Sequence, residues 1–256
     1  MRTGRLLLAI VVTAALGLAV WAALDPHGVD WGTVSFVWAG ALVLAGIALY
    51  GLRAAPAQEI SLVAALSALA TASRVLFASL PNVKPVTFIV LISGVGLGSG
   101  PGFMVGATTA LVSNFFFGQG PWTPWQMLAW GAVGAVGGLL GRRSRSRGSA
   151  AGKVHSLRSG ARLGTGFGPS RWTLMVVGSL CAIAFDWAVT IWMFVAFSAH
   201  TWPALLALYA QGLPFDFAHV VATALFCGLF GEQAVIIVSR FRSRTHVTFL
   251  DPEVAP

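Results

Sequence analysis

PNVKPVTFIVLISGVGLGSGPGFMVGATTALVSNFFFGQGPWTPWQMLAWG, Pro81 to Gly131, sets two polar loops around a pair of short apolar segments. The loops carry Asn82, Lys84, Asn114, Gln119 and Gln126 together with Trp122, Trp125 and Trp130, a mixture that lipid packing alone does not require. The first segment, Val86 to Gly98, covers only about 20 Å at ~1.5 Å per residue. That falls short of the ~30 Å of a hydrocarbon layer, so either its loops dip inward or protein shields it from lipid. A turn, SGPG at Ser99 to Gly102, leads into the second segment, Phe103 to Phe117. Short segments interrupted by Gly and Pro are where transporters place binding sites.

The rest of the chain fits a membrane setting. Of 256 residues 57% are hydrophobic and 9% charged, and mean hydropathy is +0.81, outside the range of a soluble domain. Several uncharged runs approach the ~20 residues of a spanning helix, with no β-barrel alternation. The sequence predicts an all-α integral membrane protein with spans at Leu6 to Leu24, Thr33 to Leu52, Ile60 to Ser79, the two short segments, Pro124 to Leu140, Trp172 to Phe197 and Phe215 to Ser239. The first run, behind Arg2 and Arg5, is read as a retained helix; a cleaved signal would leave the topology of the rest unchanged. Pro56 breaks the chain before the third span, with Glu59 suited to its first turn, and Pro85 opens the fourth. Gly131, Gly134, Gly137, Gly138 and Gly141 give the sixth span small faces for close helix contact.

The net charge of +8 is placed by topology, not by a polyanion. Eight spans put both termini on one side, and fourteen of the cations, from Arg2 and Arg5 through Arg53, the Arg142 to Arg171 stretch and Arg240 to Arg244, then face the cytoplasm. Only Arg74 and Lys84 remain for the outer half. This predicts a multi-pass cell-membrane protein with cytoplasmic termini, a flexible basic loop over residues 141–171 that meets lipid headgroups, a polar tail over 240–256 and no nucleic-acid partner. Cys181 and Cys227, central in separate apolar segments, read as small buried hydrophobes.

Ionisable residues within spans are costly and so mark function. Arg74 and Asp186 reach similar depths and can pair, either as a structural lock or in ligand binding; Asp216 and His219 share a helix face one turn apart. Glu232 lies in the cytoplasmic part of that helix. The tryptophans read singly as an aromatic belt, but amides beside them describe a small-molecule pocket. Ala64, Ala68 and Ala72 leave one face of the third span flat, for packing inside the molecule or against a partner. Gly152-Lys153 is followed by Val154, so no P-loop is present, and no metalloprotease, hydrolase or prenyltransferase motif occurs.

From Glu59 to Ser239 the chain resembles the S component, the substrate-binding membrane subunit, of energy-coupling factor (ECF) vitamin transporters. The resemblance rests on the alanine-patterned helix, the PNVKPVT loop, the short Gly-rich pair and SNFFFGQGPWTPWQM. It implies a six-helix S-component-like domain over residues 59–239, preceded by an N-terminal pair of transmembrane helices within residues 1–58. It further implies capture of a vitamin or precursor from outside, with a corrinoid such as cobalamin favoured, and assembly with a T component and two ATPase subunits. ATP is then used by those partners, and this chain carries no cofactor, metal or catalytic residue of its own. Ala64, Ala68 and Ala72 match the T-component contact, and the pocket maps to Arg74, Asn82, Lys84, Asn114, Gln119, Trp122, Trp125, Gln126, Asp186, Asp216 and His219.

Two other classes stand against this reading. A self-sufficient secondary transporter or channel needs an acidic or histidine relay across the full depth, and Asp186, Asp216, His219 and Glu232 look scattered in the sequence. A membrane enzyme needs clustered carboxylates or a nucleophile with its base, and the sequence displays neither.

Overall fold

The computed structural model describes Thr13 and residues 30–53, 55–155 and 168–244. Among the described residues the chain is helical throughout, with α1 Trp31–Gly51, α2 Ala57–Leu76, α3 Val86–Leu97, α4 Ser99–Phe117, α5 Trp122–His155, α6 Arg171–Phe197 and α7 Trp202–Arg244, and no strand. Four of these, α1, α2, α6 and α7, are long and apolar enough to cross a membrane. The expected first span, Leu6 to Leu24, lies outside the described residues apart from Thr13.

Helix α3 is the centre of the molecule. Eleven of its twelve residues are buried, and it touches α2, α4, α5, α6 and α7. Of the two ways to accommodate its shortness, shielding by protein is the one found. Its polar backbone is satisfied internally, and a segment screened from lipid on all sides has no need to match the hydrocarbon thickness.

Glycine makes that burial achievable. A Cβ built on Gly94 of α3 would fall on the carbonyl oxygen of Gly134 of α5, and one on Gly134 would fall on the backbone of Gly102 in α4. Three backbones therefore meet with no side chain between them. Gly137, Gly138 and Gly141 repeat the contact against Leu91, Ser99 and Val95. In lipid no hydrophobic gain separates buried from exposed leucine, so helices associate through such close packing. The outward faces show the complement: Leu69, Val176, Leu180, Leu225 and Leu229 are exposed, while Ser67, Thr109, Ser113 and Asn114 are interior.

Four boundaries differ from expectation, each for a local reason. The turn expected at Ser99 to Gly102 is the first turn of α4; the reversal is made by Gly98 alone, at φ 112°, a conformation only glycine takes without strain. Pro101 sits where its missing N–H has no intrahelical partner to lose. Helix α5 runs on to His155, into the first half of the 141–171 stretch expected as a flexible loop, whose residues 156–167 lie outside the described residues; arginine is a good helix former and extending an existing helix needs no new nucleus. Helix α7 starts at Trp202, not Phe215, with Pro203 in its first turn and Pro214 carried inside it. The run ALLALYAQ between the prolines favours helix strongly enough to carry it past the one hydrogen bond that Pro214 cannot make. Finally α2 ends at Leu76, and the loop after it holds Asn82 at φ 54°, a left-handed conformation asparagine tolerates better than most residues.

The cationic end of the bundle is tied by side chains to backbone. Arg145 of α5 donates to Val95 O at 3.1 Å and Arg242 of α7 to Gly96 O at 3.4 Å, covering carbonyls of the last turn of α3 where the helix dipole is negative. Glu232 accepts from the backbone N–H of Arg171 at 2.8 Å, so the carboxylate serves the N-terminus of α6. Tyr50 of α1 donates to Glu59 of α2 at 3.2 Å. Cys181 and Cys227 are buried and free, as small apolar residues.

Candidate functional site

Where α3 begins, the bundle opens into a cavity of about 260 Å³. Its wall includes Arg74 from α2, Asn82 and Lys84 from the α2–α3 loop, Gln126 and Trp130 from α5, Phe185 and Asp186 from α6, and Asp216 and His219 from α7. Five elements of the chain thus converge on a space surrounded elsewhere by apolar helix.

Arg74 does not pair with Asp186. Helix α2 packs on α3 and α4, so the guanidinium meets α4 first: it donates to Ser113 Oγ and to Asn114 Oδ1, the latter at 2.8 Å. Its charge lies over two aromatic rings, 4.8 Å from the Phe117 centroid and 4.9 Å from that of Trp130. Lys84 shares the Phe117 ring at 5.4 Å. Burial, and then the neighbouring Arg74, push the Lys84 ammonium below its ordinary pKa. Asn114, 1% exposed, spends its whole amide on this arrangement, accepting from Arg74 and donating to Thr123 and to Gln126, each at 3.0 Å.

A second polar chain crosses the cavity floor. Trp130 Nε1 donates to Thr87 Oγ1 at 3.1 Å, Thr87 Oγ1 lies 2.8 Å from His219 Nε2, and His219 Nδ1 lies 2.8 Å from Asp186 Oδ2. A neutral imidazole protonated on Nδ1 satisfies every group: indole N–H to hydroxyl, hydroxyl to Nε2, and Nδ1–H to carboxylate. His219 is edge-on to Phe185, which stacks on Trp130 at 4.3 Å. Rings and hydrogen bonds together fix the imidazole. Asn82 closes the cavity rim, donating from Nδ2 to the Phe215 carbonyl at 3.2 Å and so tying the α2–α3 loop to α7.

Of the residues expected in the pocket, Arg74, Asn82, Lys84, Gln126, Asp186, Asp216 and His219 line it together. Asn114 stands behind the wall and positions two of them. Three expected residues lie elsewhere. Gln119 ties the α4–α5 loop, donating to Leu111 O and accepting from Thr123, both at 2.9 Å. Trp122 packs edge-on against Trp192. Trp125, rotated about 100° from Gln126 on the helix, faces an apolar groove with Leu128, Ala132 and Cys181. Trp130, four residues from Gln126, takes the place on the wall that Trp122 and Trp125 were expected to fill. Sequence reading missed Thr87 and Phe185; Thr87 was legible as the end of PNVKPVT, whereas Phe185 had no signal beyond standing next to Asp186.

Among the described residues nothing packs over the alanine face. Val63, Ser67, Ala70 and Thr71 of α2 are buried against the bundle, and Ala64, Ala68 and Ala72 are exposed on the other side. Among the described residues no group of three or more histidine, cysteine or carboxylate side chains is placed to hold a metal. No protein-family model, curated protein or solved structure matches the chain.

Proposed function

We propose that this chain is the substrate-binding S component of an ECF-type importer in the cell membrane, with its cavity open to the outside and its termini in the cytoplasm. One observation carries the reading: a polar cavity, walled by aromatic residues and by charges from separate elements, sits at one end of a bundle whose opposite end gathers arginines. The arginine end is the cytoplasmic one by the charge rule. The cavity then faces outward, and the exposed alanines of α2 are the surface on which a T component carrying two ATPases docks and turns it inward. Ligands of drug size fill pockets of ~300–1,000 Å³. A cavity of about 260 Å³ therefore favours a compact vitamin or precursor over a corrinoid macrocycle.

The Thr87, His219 and Asp186 chain also has the connectivity of a nucleophile, base and orienting carboxylate, the one observation that favours an enzyme. Thr87, however, is fully buried and its oxygen already accepts from Trp130, which suits a fixed imidazole better than an attacking hydroxyl.

Ala68→Trp separates the two halves of this proposal. Ala68 is exposed, so the indole has room, and the purified variant is expected to bind ligand with the wild-type affinity, in the nanomolar range or about 12 kcal/mol. Uptake into cells that supply the T component and ATPases is expected to fall to background. Normal uptake by Ala68→Trp removes the docking face from the proposal. Ion flux through the wild-type chain alone in liposomes, without vitamin binding, overturns the importer reading altogether.

A further inference from the structure

The charges around the cavity do not neutralise one another, and that imbalance describes the ligand. Arg74 and Lys84 come from α2 and the α2–α3 loop, Asp186 and Asp216 from α6 and α7. Among the described residues neither cation lies within 4 Å of a carboxylate. Asp186 is engaged by His219, while Arg74 is held by neutral oxygens and aromatic faces. Two cations thus crowd a single ring, Phe117, without a counter-ion. Like charges brought together in a partly desolvated site repel each other until an anion joins them. Asp216, half-buried on the cavity wall, accepts a hydrogen bond from the Trp187 side chain, a neutral donor, and among the described residues has no cation within 4 Å, so its charge is left uncompensated.

We infer that the cavity is built for a compact zwitterion, with its carboxylate or phosphate group on Arg74 and Lys84 and its protonated nitrogen on Asp216. Taken together the four charged residues sum to zero, so a ligand of no net charge completes both poles without leaving an excess in the membrane. Gln126 and Asn82 line the same cavity with amides, and the Trp130 ring supplies an apolar surface. A purely anionic ligand leaves Asp216 without a counter-charge, and a purely cationic one leaves the Arg74 and Lys84 pair; each such omission costs affinity. This assignment rests on the ligand-binding reading above and makes it specific.

The test uses the full chain in lipid nanodiscs, with thermal shift and equilibrium binding as readouts. Thiamine monophosphate, pyridoxamine phosphate and tryptophan serve as two-pole probes, the first two with phosphate and the third with carboxylate. Thiamine, pyridoxamine and tryptamine are their counterparts without the anion, and riboflavin and cobalamin are probes without two opposed charges of this kind. In parallel, the molecule retained by protein purified from its host is identified by native mass spectrometry. At least one two-pole compound, probe or retained molecule, is expected to bind at least about tenfold tighter than its one-pole counterpart. Lys84→Gln is expected to lower its affinity to that of the cation-only counterpart, and Asp216→Asn to lower it by a similar factor; which anion binds tells carboxylate from phosphate. If the tightest ligand carries one charge or none, and Lys84→Gln and Asp216→Asn bind it as wild type does, the zwitterion assignment is overturned while ligand binding stands. If nothing is retained and no probe binds, both fall.

Discussion

The two ends of α3 use the same kind of residue for different ends. At the C-terminal end, Arg145 and Arg242 donate to the carbonyls of Val95 and Gly96, where the helix dipole already favours cations. At the N-terminal end, beside Val86 and Thr87, Arg74 and Lys84 sit near the positive pole of the same dipole, held by Ser113, Asn114 and aromatic rings. The first arrangement is satisfied as it stands. The second concentrates positive potential with no anion among the described side chains within 4 Å of either cation. Both ends collect cations, but cations spent on the carbonyls of a helix end read as structure, whereas cations held only by neutral oxygens and aromatic faces read as a place kept for something else.

The comparison holds only if α3 is seated as described, and the most damaging way to break it is at its middle. Gly94→Leu drives a side chain into the Gly134 carbonyl, with Gly102 behind it and no flexible side chain able to move aside. Overpacking a core commonly costs about 1–3 kcal/mol; displacing backbone against backbone belongs with the rare losses of roughly 4–5 kcal/mol or more. The variant is expected to lose its monodisperse peak on size-exclusion chromatography in detergent, taking both ends of α3 with it. A monodisperse Gly94→Leu with wild-type melting would mean that the three-glycine contact does not hold the helix.

Less of the site than of the fold was legible in the sequence. Hydropathy and charge placed most of the helices, because a lipid environment imposes one pattern on every span, and glycine spacing on α5 announced the close contacts. The boundaries that misled, at Ser99, Gly141 and Phe215, turned on residues usually read as breakers. Pro101 and Pro203 fall in first turns, where proline is harmless, and Pro214 is overridden by the helix formers before it. Within the site, the polar residues of the two loops were visible but their directions were not. Whether Trp125 or Trp130 faces the cavity depends on the rotation of α5, which the glycines set through contacts with other helices. Arg74 and Asp186 share a depth, yet depth in the sequence does not tell which helix is the neighbour.

A milder break is expected at the closed end. Arg145→Gln removes the charged donor from Val95 O while leaving a side chain of similar reach. A hydrogen bond of this kind contributes about 1.5–3 kcal/mol when fully buried, and Arg145 is only half-buried, so about 1 kcal/mol is expected. Melting in nanodiscs should fall by a few degrees and ligand affinity should stay within about twofold of wild type. A large loss of affinity with unchanged melting would reverse the assignment of the two ends.

The smallest effect concerns the crowded cations themselves. Burial and Arg74 hold the folded-state pKa of Lys84 below its ordinary value of 10.5. Between the lowered value and 10.5 the unfolded chain binds more protons than the folded one, so raising the pH through that window stabilises the empty protein; below the lowered value the penalty of the charged ammonium is fully present. Anion binding runs the other way, weakening over the same window as the ammonium is lost. Lys84→Gln keeps Arg74, Asp186, Asp216 and His219, so subtracting its melting curve and its affinity from those of the wild type isolates one ammonium. Wild-type melting should rise relative to the variant, and wild-type affinity for an anion-bearing ligand should fall toward it, as the pH climbs. Parallel curves in both measurements would show that Lys84 is an ordinary surface cation and that the open end of α3 concentrates less charge than its geometry suggests.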